Sequence, residues 1–254
     1  NNGLKKGFTP TLHAPLFIAR ALRLHRLTNR KSTQMNKIMK LLYLGLLILM
    51  GCKAEDKQPA DFIPKGYTEF EKFFGDLNSD GQEDCVLIIK KTDQNNIVTN
   101  QFNKKVDRNR RGIIVLFKKR KGYHLSDKNY NCFSSENEDG GVYFPPELWI
   151  EIKNQKLFIY YGHGRYGFWV YSFRFQNSNF ELIGYDSSSS HGPVIISETS
   201  INFLTKKKLI KVNTNEDSEG GDEVFKETWT PIEIENLMKL SEIKNFDQLD
   251  LYNY

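Results

Sequence analysis

The sequence predicts a mostly β domain: an antiparallel meander of hairpins, closing as a propeller-like array, an open barrel or a sandwich, with one short helix near the C-terminus. Three observations carry this. From Phe62 onward the chain is a series of short apolar or alternating runs rich in Ile, Val, Phe, Tyr and Trp, the pattern of half-buried or buried strands. Asn, Gly, Lys and Ser clusters separate those runs, as turns do. Only after Pro231 does the apolar spacing become helical.

Taken in order, the apolar run at residues 85–89 is a buried strand. Residues 113–117 and 123–125, joined through Lys118-Lys119-Arg120-Lys121-Gly122, form a first hairpin. Residues 148–152 and 157–161 around Asn154-Gln155 form a second, and residues 168–175 and 180–185 around Asn177-Ser178-Asn179 a third. Residues 199–204 and 209–212, joined through the lysines 206–208, form a fourth, and residues 224–229 add a last strand. On the third hairpin Trp169, Tyr171, Phe173 and Phe175 share one face by the period of two and are assigned to the core. Pro231, Ile234, Leu237, Met238 and Leu240 have helical spacing with proline in the first turn, so a short helix is expected there, covering a sheet edge. The units recur every 20 to 35 residues or so, as in repeated meanders.

Residues 35–51 are built differently. Met35-Asn36-Lys37-Ile38-Met39-Lys40 is basic, an apolar run follows from Leu41 to Met50, and Gly51 stands before Cys52. These are the parts of a secretory signal, and the run is short of the ~20 residues that a membrane span needs. Leu49-Met50-Gly51-Cys52 resembles the lipobox of bacterial lipoproteins. The resemblance implies cleavage before Cys52, a diacylglycerol on its thiol and an acylated amine, hence a membrane partner through a lipid anchor. It also implies a place in the cell envelope, as an outer-membrane lipoprotein facing the periplasm or the surface. Residues 52–61 read as a polar tether, and their basic-then-acidic start is similar to export signals of Bacteroidetes-type surface lipoproteins. Residues 1–34 precede Met35 and are expected to be an upstream extension outside the mature protein; a basic amphipathic helix near residues 16–27 is the other reading. Residues 62–254 make a single β-rich domain.

This partition changes the charge argument. The whole chain is formally +5, but nine of its 36 Lys and Arg and none of its 31 Asp and Glu lie in residues 1–51. The remainder therefore holds 27 basic against 31 acidic residues, which offers no footprint for nucleic acid. With Cys52 lipidated, Cys85 and Cys132 are left as an even pair. Outside the cytoplasm they can form a disulfide; the other reading is two small buried hydrophobes.

The motif with the clearest mechanism is Gly75-Asp76-Leu77-Asn78-Ser79-Asp80-Gly81-Gln82-Glu83-Asp84. Ca²⁺ wants six to eight oxygens, and a tightly curled loop with donors at alternate positions can aim them at one point. Asp76, Asn78 and Asp80 supply side chains, Gln82 a backbone carbonyl and Asp84 a direct or water-bridged carboxylate, while Gly81 makes the bend. The twelfth position is Leu87, so the bidentate glutamate of an EF-hand is missing. The loop resembles the calcium loop of FG-GAP or VCBS repeats, in which such a run leads into an apolar strand. The resemblance implies one structural Ca²⁺ and spans about 55 residues. An Asx-type turn closed by its own hydrogen bonds is the alternative.

For a ligand site, Gly162-His163-Gly164-Arg165-Tyr166-Gly167 is a glycine-flanked loop between two strong strands, able to present His163, Arg165 and Tyr166. Tyr160, Tyr161 and Phe168 beside it suit a sugar or peptide face. Asp186, residues 187–190 (all Ser) and His191 follow the third hairpin, the serines reading as a flexible loop. No G-x-S-x-G nucleophile elbow is present. The expected function is a lipid-anchored envelope module for binding or structure, with a glycan or envelope protein as partner. An envelope hydrolase or glycan-binding accessory with a site near His163, Arg165 and His191 is the alternative.

Overall fold

In the computed structural model the described residues are 35, 37, 39, 56–138, 145–249 and 251. The chain divides into Asn1–Glu55 and Asp56–Tyr254. Of the first unit, Met35, Lys37 and Met39 are described, each helical and exposed; Cys52 lies outside the described residues.

The second unit is built from β1 (Tyr67–Gly75), β2 (Asp84–Lys91), β3 (Ile97–Thr99), β4 (Lys105–Asp107), β5 (Arg111–Lys118), β6 (Tyr123–Phe133), β7 (Glu147–Lys153), β8 (Lys156–Gly162), β9 (Gly167–Gln176), β10 (Asn179–His191), β11 (Val194–Asn202), β12 (Lys207–Asn213) and β13 (Phe225–Pro231). A four-stranded sheet runs β1-β2-β5-β6, a seven-stranded sheet runs β13 to β7 in unbroken sequence order, and β3-β4 is a small separate hairpin. Every pairing is antiparallel. Of the three architectures expected, the chain adopts the open sandwich.

The core follows from the period of two. Val86 and Ile88 of β2 with Ile113 and Val115 of β5 share one buried cluster with Ile159, Tyr161, Tyr171 and Phe173 of the larger sheet, so the two sheets face each other across it. Trp169 and Phe175 pack on the same cluster, as their alternation predicts. The intervening residues Cys85, Leu87, Ile89, Ile114 and Leu116 form a second cluster on the other face of the small sheet, with Phe62 and Ile63 packed against it. That face explains the unbroken apolar run of β2, which is buried on both sides.

The two-residue hairpin turns follow the backbone chemistry. Asn154 and Gln155, and likewise Asn177 and Ser178, all have positive φ between 50° and 62°, and they close on the pairs Lys153/Lys156 and Gln176/Asn179. These are the left-handed conformations that match strand twist in a tight hairpin.

Four expectations are corrected. The segment after Pro231 is no α-helix: among the described residues only the 3-10 turns Leu240–Glu242 and Phe246–Gln248 occur there. Its apolar residues are satisfied as an irregular strap, in which Ile232 and Leu240 are buried and Ile234, Leu237 and Met238 pack on the main core. The strap takes the edge of β10 that β11 leaves open, with Met238 O accepting from Leu182 N at 2.8 Å. The serines 187–190 are no loop but the continuation of β10 to His191. The lysine turn is shorter than expected: Lys207 and Lys208 already belong to β12, and Lys208 is buried. Finally, Cys85 and Cys132 are both free and buried. They sit in different clusters on opposite faces of the small sheet, a geometry that excludes a bond between them. Burial, then the nearby Glu69 charge, pushes the Cys85 thiol up to about 12, so both cysteines behave as small inert hydrophobes.

Candidate ligand-binding face

The acidic loop between β1 and β2 is tightly curled, with Ser79 and Gly81 at φ 64° and 76°. Asp76 organises it: Oδ1 accepts from the backbone N–H of Asn78, Ser79 and Asp80 at 3.2, 2.7 and 3.3 Å, and Oδ2 accepts from Gly81 N at 3.0 Å. Burial works against that charge, but the four N–H groups together outweigh it, so the Asp76 carboxyl titrates below its ordinary range. Asp80 accepts from Gln82 N at 2.9 Å and from the Asn78 and Gln82 side-chain amides at 3.2 and 3.3 Å. Asp84 turns inward, fully buried, and its two oxygens accept from Leu77 N at 2.8 Å and Lys118 N at 2.9 Å. The Asp76, Asn78 and Asp80 oxygens thus all accept hydrogen bonds from within the curl, Asn78 Oδ1 from Asp80 N at 3.0 Å, whereas both oxygens of Asp84 are engaged from behind. Among the described residues no three His, Cys, Asp or Glu side chains converge as a metal cluster.

The larger opportunity is an open groove of about 1060 Å³ over the outer face of β7, β8 and β9. Its lining includes Trp149, Tyr160, His163, Arg165, Tyr166 and Phe168, with Glu147, Ser188 and Ser190 as further polar groups. Trp149 and Tyr160 are direct cross-strand partners. Their rings stack face to face, with centroids 4.7 Å apart and planes 3° from parallel, an arrangement worth more than the buried area alone. Tyr160 donates to Glu151 Oε2 at 2.8 Å; burial, then that bond and charge, push the phenol up to about 12, so it stays a neutral donor. Trp149 and Phe168 remain 41% and 43% exposed, the mark of large apolar rings that the core does not use.

The loop that walls the groove is fixed at its base. His163 N donates to Gly167 O at 2.9 Å and Tyr166 N to His163 O at 3.0 Å. Gly167 has φ 114°, and a Cβ there would overlap the Ser188 carbonyl oxygen, so only glycine lets the loop lie against β10. The Arg165 guanidinium donates to the Tyr166 hydroxyl at 3.1 and 3.2 Å, and the His163 ring lies 5.5 Å from that of Tyr166.

The structure therefore brings His163, Arg165 and Tyr166 together and adds Phe168 and Tyr160 to them. His191 is not with them: it closes β10 opposite Val194, one residue out of phase with Ser188 and Ser190, and does not line the groove. Tyr161 also leaves the set, since its ring is buried in the core beneath Trp169 at 5.3 Å. Sequence reasoning missed Trp149 as a site residue. The signal was available in its alternation with Leu148 and Ile150, which puts an indole on the face opposite the core.

No family model, no curated protein and no solved structure matches the chain.

Proposed function

We propose that this protein is an exported binding module, held at a membrane through lipid on Cys52, whose ligand is a carbohydrate lying over Trp149 and Phe168. The supporting observation is the stacked pair of parallel rings, with Trp149 exposed, in an open groove with polar walls. A pyranose ring is itself two-faced, with a patch of C–H groups above and below and hydroxyls around its edge. The exposed parts of the Trp149 and Phe168 rings offer the apolar partner, while Glu147, His163, Arg165 and Ser188 border it with donors and acceptors. The work expected of such a site is recognition, and no turnover is assigned to it.

The same proposal includes one Ca²⁺ in the loop ahead of β2. The Asp76, Asn78 and Asp80 side chains and the Gln82 carbonyl would hold it, and its task would be to neutralise the curl and stiffen the entry to β2.

The test is titration of the purified protein with a panel of soluble neutral and acidic glycans, read by tryptophan emission and calorimetry. Binding that Trp149→Ala weakens at least tenfold, and that His163→Ala or Arg165→Ala weakens several-fold, is expected. Equal binding by Trp149→Ala, or silence across the whole panel, would remove the reading.

A further inference from the structure

Resting on that reading, we infer that the ligand face crosses all seven strands to a second subsite at Trp229, and that the ligand is a linear, uncharged polysaccharide chain wound across the sheet. The strand registers carry this. Trp149 stands opposite Tyr160, Tyr160 opposite Val170, Val170 opposite Asp186, Asp186 opposite Ser200, Ser200 opposite Leu209 and Leu209 opposite Trp229. One unbroken row on the outer face thus begins and ends in a tryptophan, with a single charged residue between them.

Both ends of the row carry a concavity. The first is the groove at Trp149. The second, of about 590 Å³, is lined by Ser200, Asn202, Thr205, Lys207 and Trp229. Trp229 is 61% exposed, as an indole would be if its partner came from outside. Between the two ends Asp186 Oδ1 accepts from Ser200 Oγ at 2.6 Å, and both residues are exposed, giving hydroxyl-matching groups where the rings stop. Six inter-strand spacings of ~4.8 Å put the two tryptophans roughly 29 Å apart along the row, a span that takes several sugar units and exceeds any mono- or disaccharide.

Two features narrow the chemistry. In the neighbouring row, Lys211 lies 3.5 Å from Glu198 and 3.8 Å from Glu227, so its charge is matched within the face, and the row itself, whose one charge is the Asp186 carboxylate, offers a polyanion no cation between the two tryptophans. Strand twist of roughly 20° per step turns the face progressively along the row. A flat crystalline surface cannot meet both indoles, whereas a soluble chain that can coil does.

The experiment compares the wild-type protein with Trp149→Ala and Trp229→Ala, using malto-, cello- and manno-oligosaccharide ladders, their long soluble polymers and microcrystalline cellulose. The expected result is at least tenfold tighter binding of a long chain than of a di- or trisaccharide, in one of the three series. Trp229→Ala should abolish that gain while short-chain binding at Trp149 stays unchanged, and Trp149→Ala should weaken both. Long-chain affinity should hold between 50 and 500 mM NaCl, and cellulose should not retain the protein. Because Trp229 is a surface side chain, an unchanged unfolding midpoint separates its loss from misfolding. A long-chain affinity untouched by Trp229→Ala overturns the second subsite and leaves the groove reading standing. Salt-sensitive binding overturns the uncharged ligand, retention on cellulose overturns the wound path, and no binding of any chain, short or long, overturns both readings.

Discussion

Replacing Asp84 by alanine should unlatch the start of β2 from both of its neighbours. Its carboxylate is fully buried and accepts two backbone N–H bonds, from Leu77 at 2.8 Å and Lys118 at 2.9 Å. The first ties it to the acidic loop and the second to the end of β5. Hydrogen bonds to a charged group contribute ~1.5–3 kcal/mol each, and a buried donor left without a partner costs about 1–3 kcal/mol. Part of that is returned, because the carboxylate is itself costly to bury: burial raises its titration despite the two N–H groups that lower it. The net loss for Asp84→Ala is therefore about 2–4 kcal/mol. In a domain of this size that lowers the thermal midpoint by roughly 5–15 °C. Asp84→Asn keeps one acceptor but turns an amide N–H toward the other donor, so it should lose about half as much or more. Urea unfolding in EDTA, where no cation contributes, is the assay; the midpoint should fall with an unchanged slope. A midpoint for Asp84→Ala equal to wild type would refute the latch.

Gly167→Ala should displace the 163–167 loop, costing about 1–3 kcal/mol by forced overlap with the Ser188 carbonyl and weakening glycan binding with it; normal binding by a stably folded variant would contradict the account of the wall. Asp107 carries an acid dependence. Burial pushes its carboxyl up, but the Asn109 N–H groups and the Lys90 ammonium, 3.0 Å away, outweigh it and hold the carboxyl below the usual range. A lowered folded-state value gives stability that is present above the unfolded value of ~3.9 and lost as pH falls through the folded one. Asp107→Asn should therefore flatten the unfolding profile below about pH 4, and parallel wild-type and variant profiles would count against the pairing. For the metal, Ca²⁺ at ten times its dissociation constant should stabilise the protein by about 1.4 kcal/mol over EDTA, an effect that Asp80→Ala abolishes. Identical curves would leave the loop to its own hydrogen bonds.

Much of the fold was legible because its signals are local. The hairpins around Asn154-Gln155 and Asn177-Ser178 announce themselves through residues that tolerate positive φ, between runs that alternate cleanly. β1 was not readable: a bulge between Glu69 and Glu71 breaks its alternation, so Tyr67, Phe70 and Phe73 fall three apart and suggest no strand. The serine run lacked any apolar signal, because its strand is specified by its neighbours β9 and β11. The expected helix failed for a related reason, since spacing of three and four also suits a strap that dips repeatedly into a core. At the site, the glycine-flanked loop pointed to His163, Arg165 and Tyr166. The ring row did not show, because it depends on registers that only paired strands possess. The bulge at Ile183 sets one of them: it shifts β10 by one residue, sending Tyr185 to the core and Asp186 to the outer face.

The strap after β13 has a consequence for how the molecule is made. Phe246 stacks on Phe133 at 5.1 Å and accepts through its carbonyl from Tyr171 at 3.1 Å, while Asn129 binds the Leu240 and Ile243 carbonyls at 2.9 and 2.7 Å. Leu251, at the far end of the described chain, is buried as well. A chain emerging N-terminus first can zip up its meander hairpin by hairpin, yet the space between the two sheets stays unsealed until the strap arrives. The plug that completes the interior is therefore made after all thirteen strands, and a nascent chain that still lacks it would remain loose enough to unfold, be threaded or be degraded.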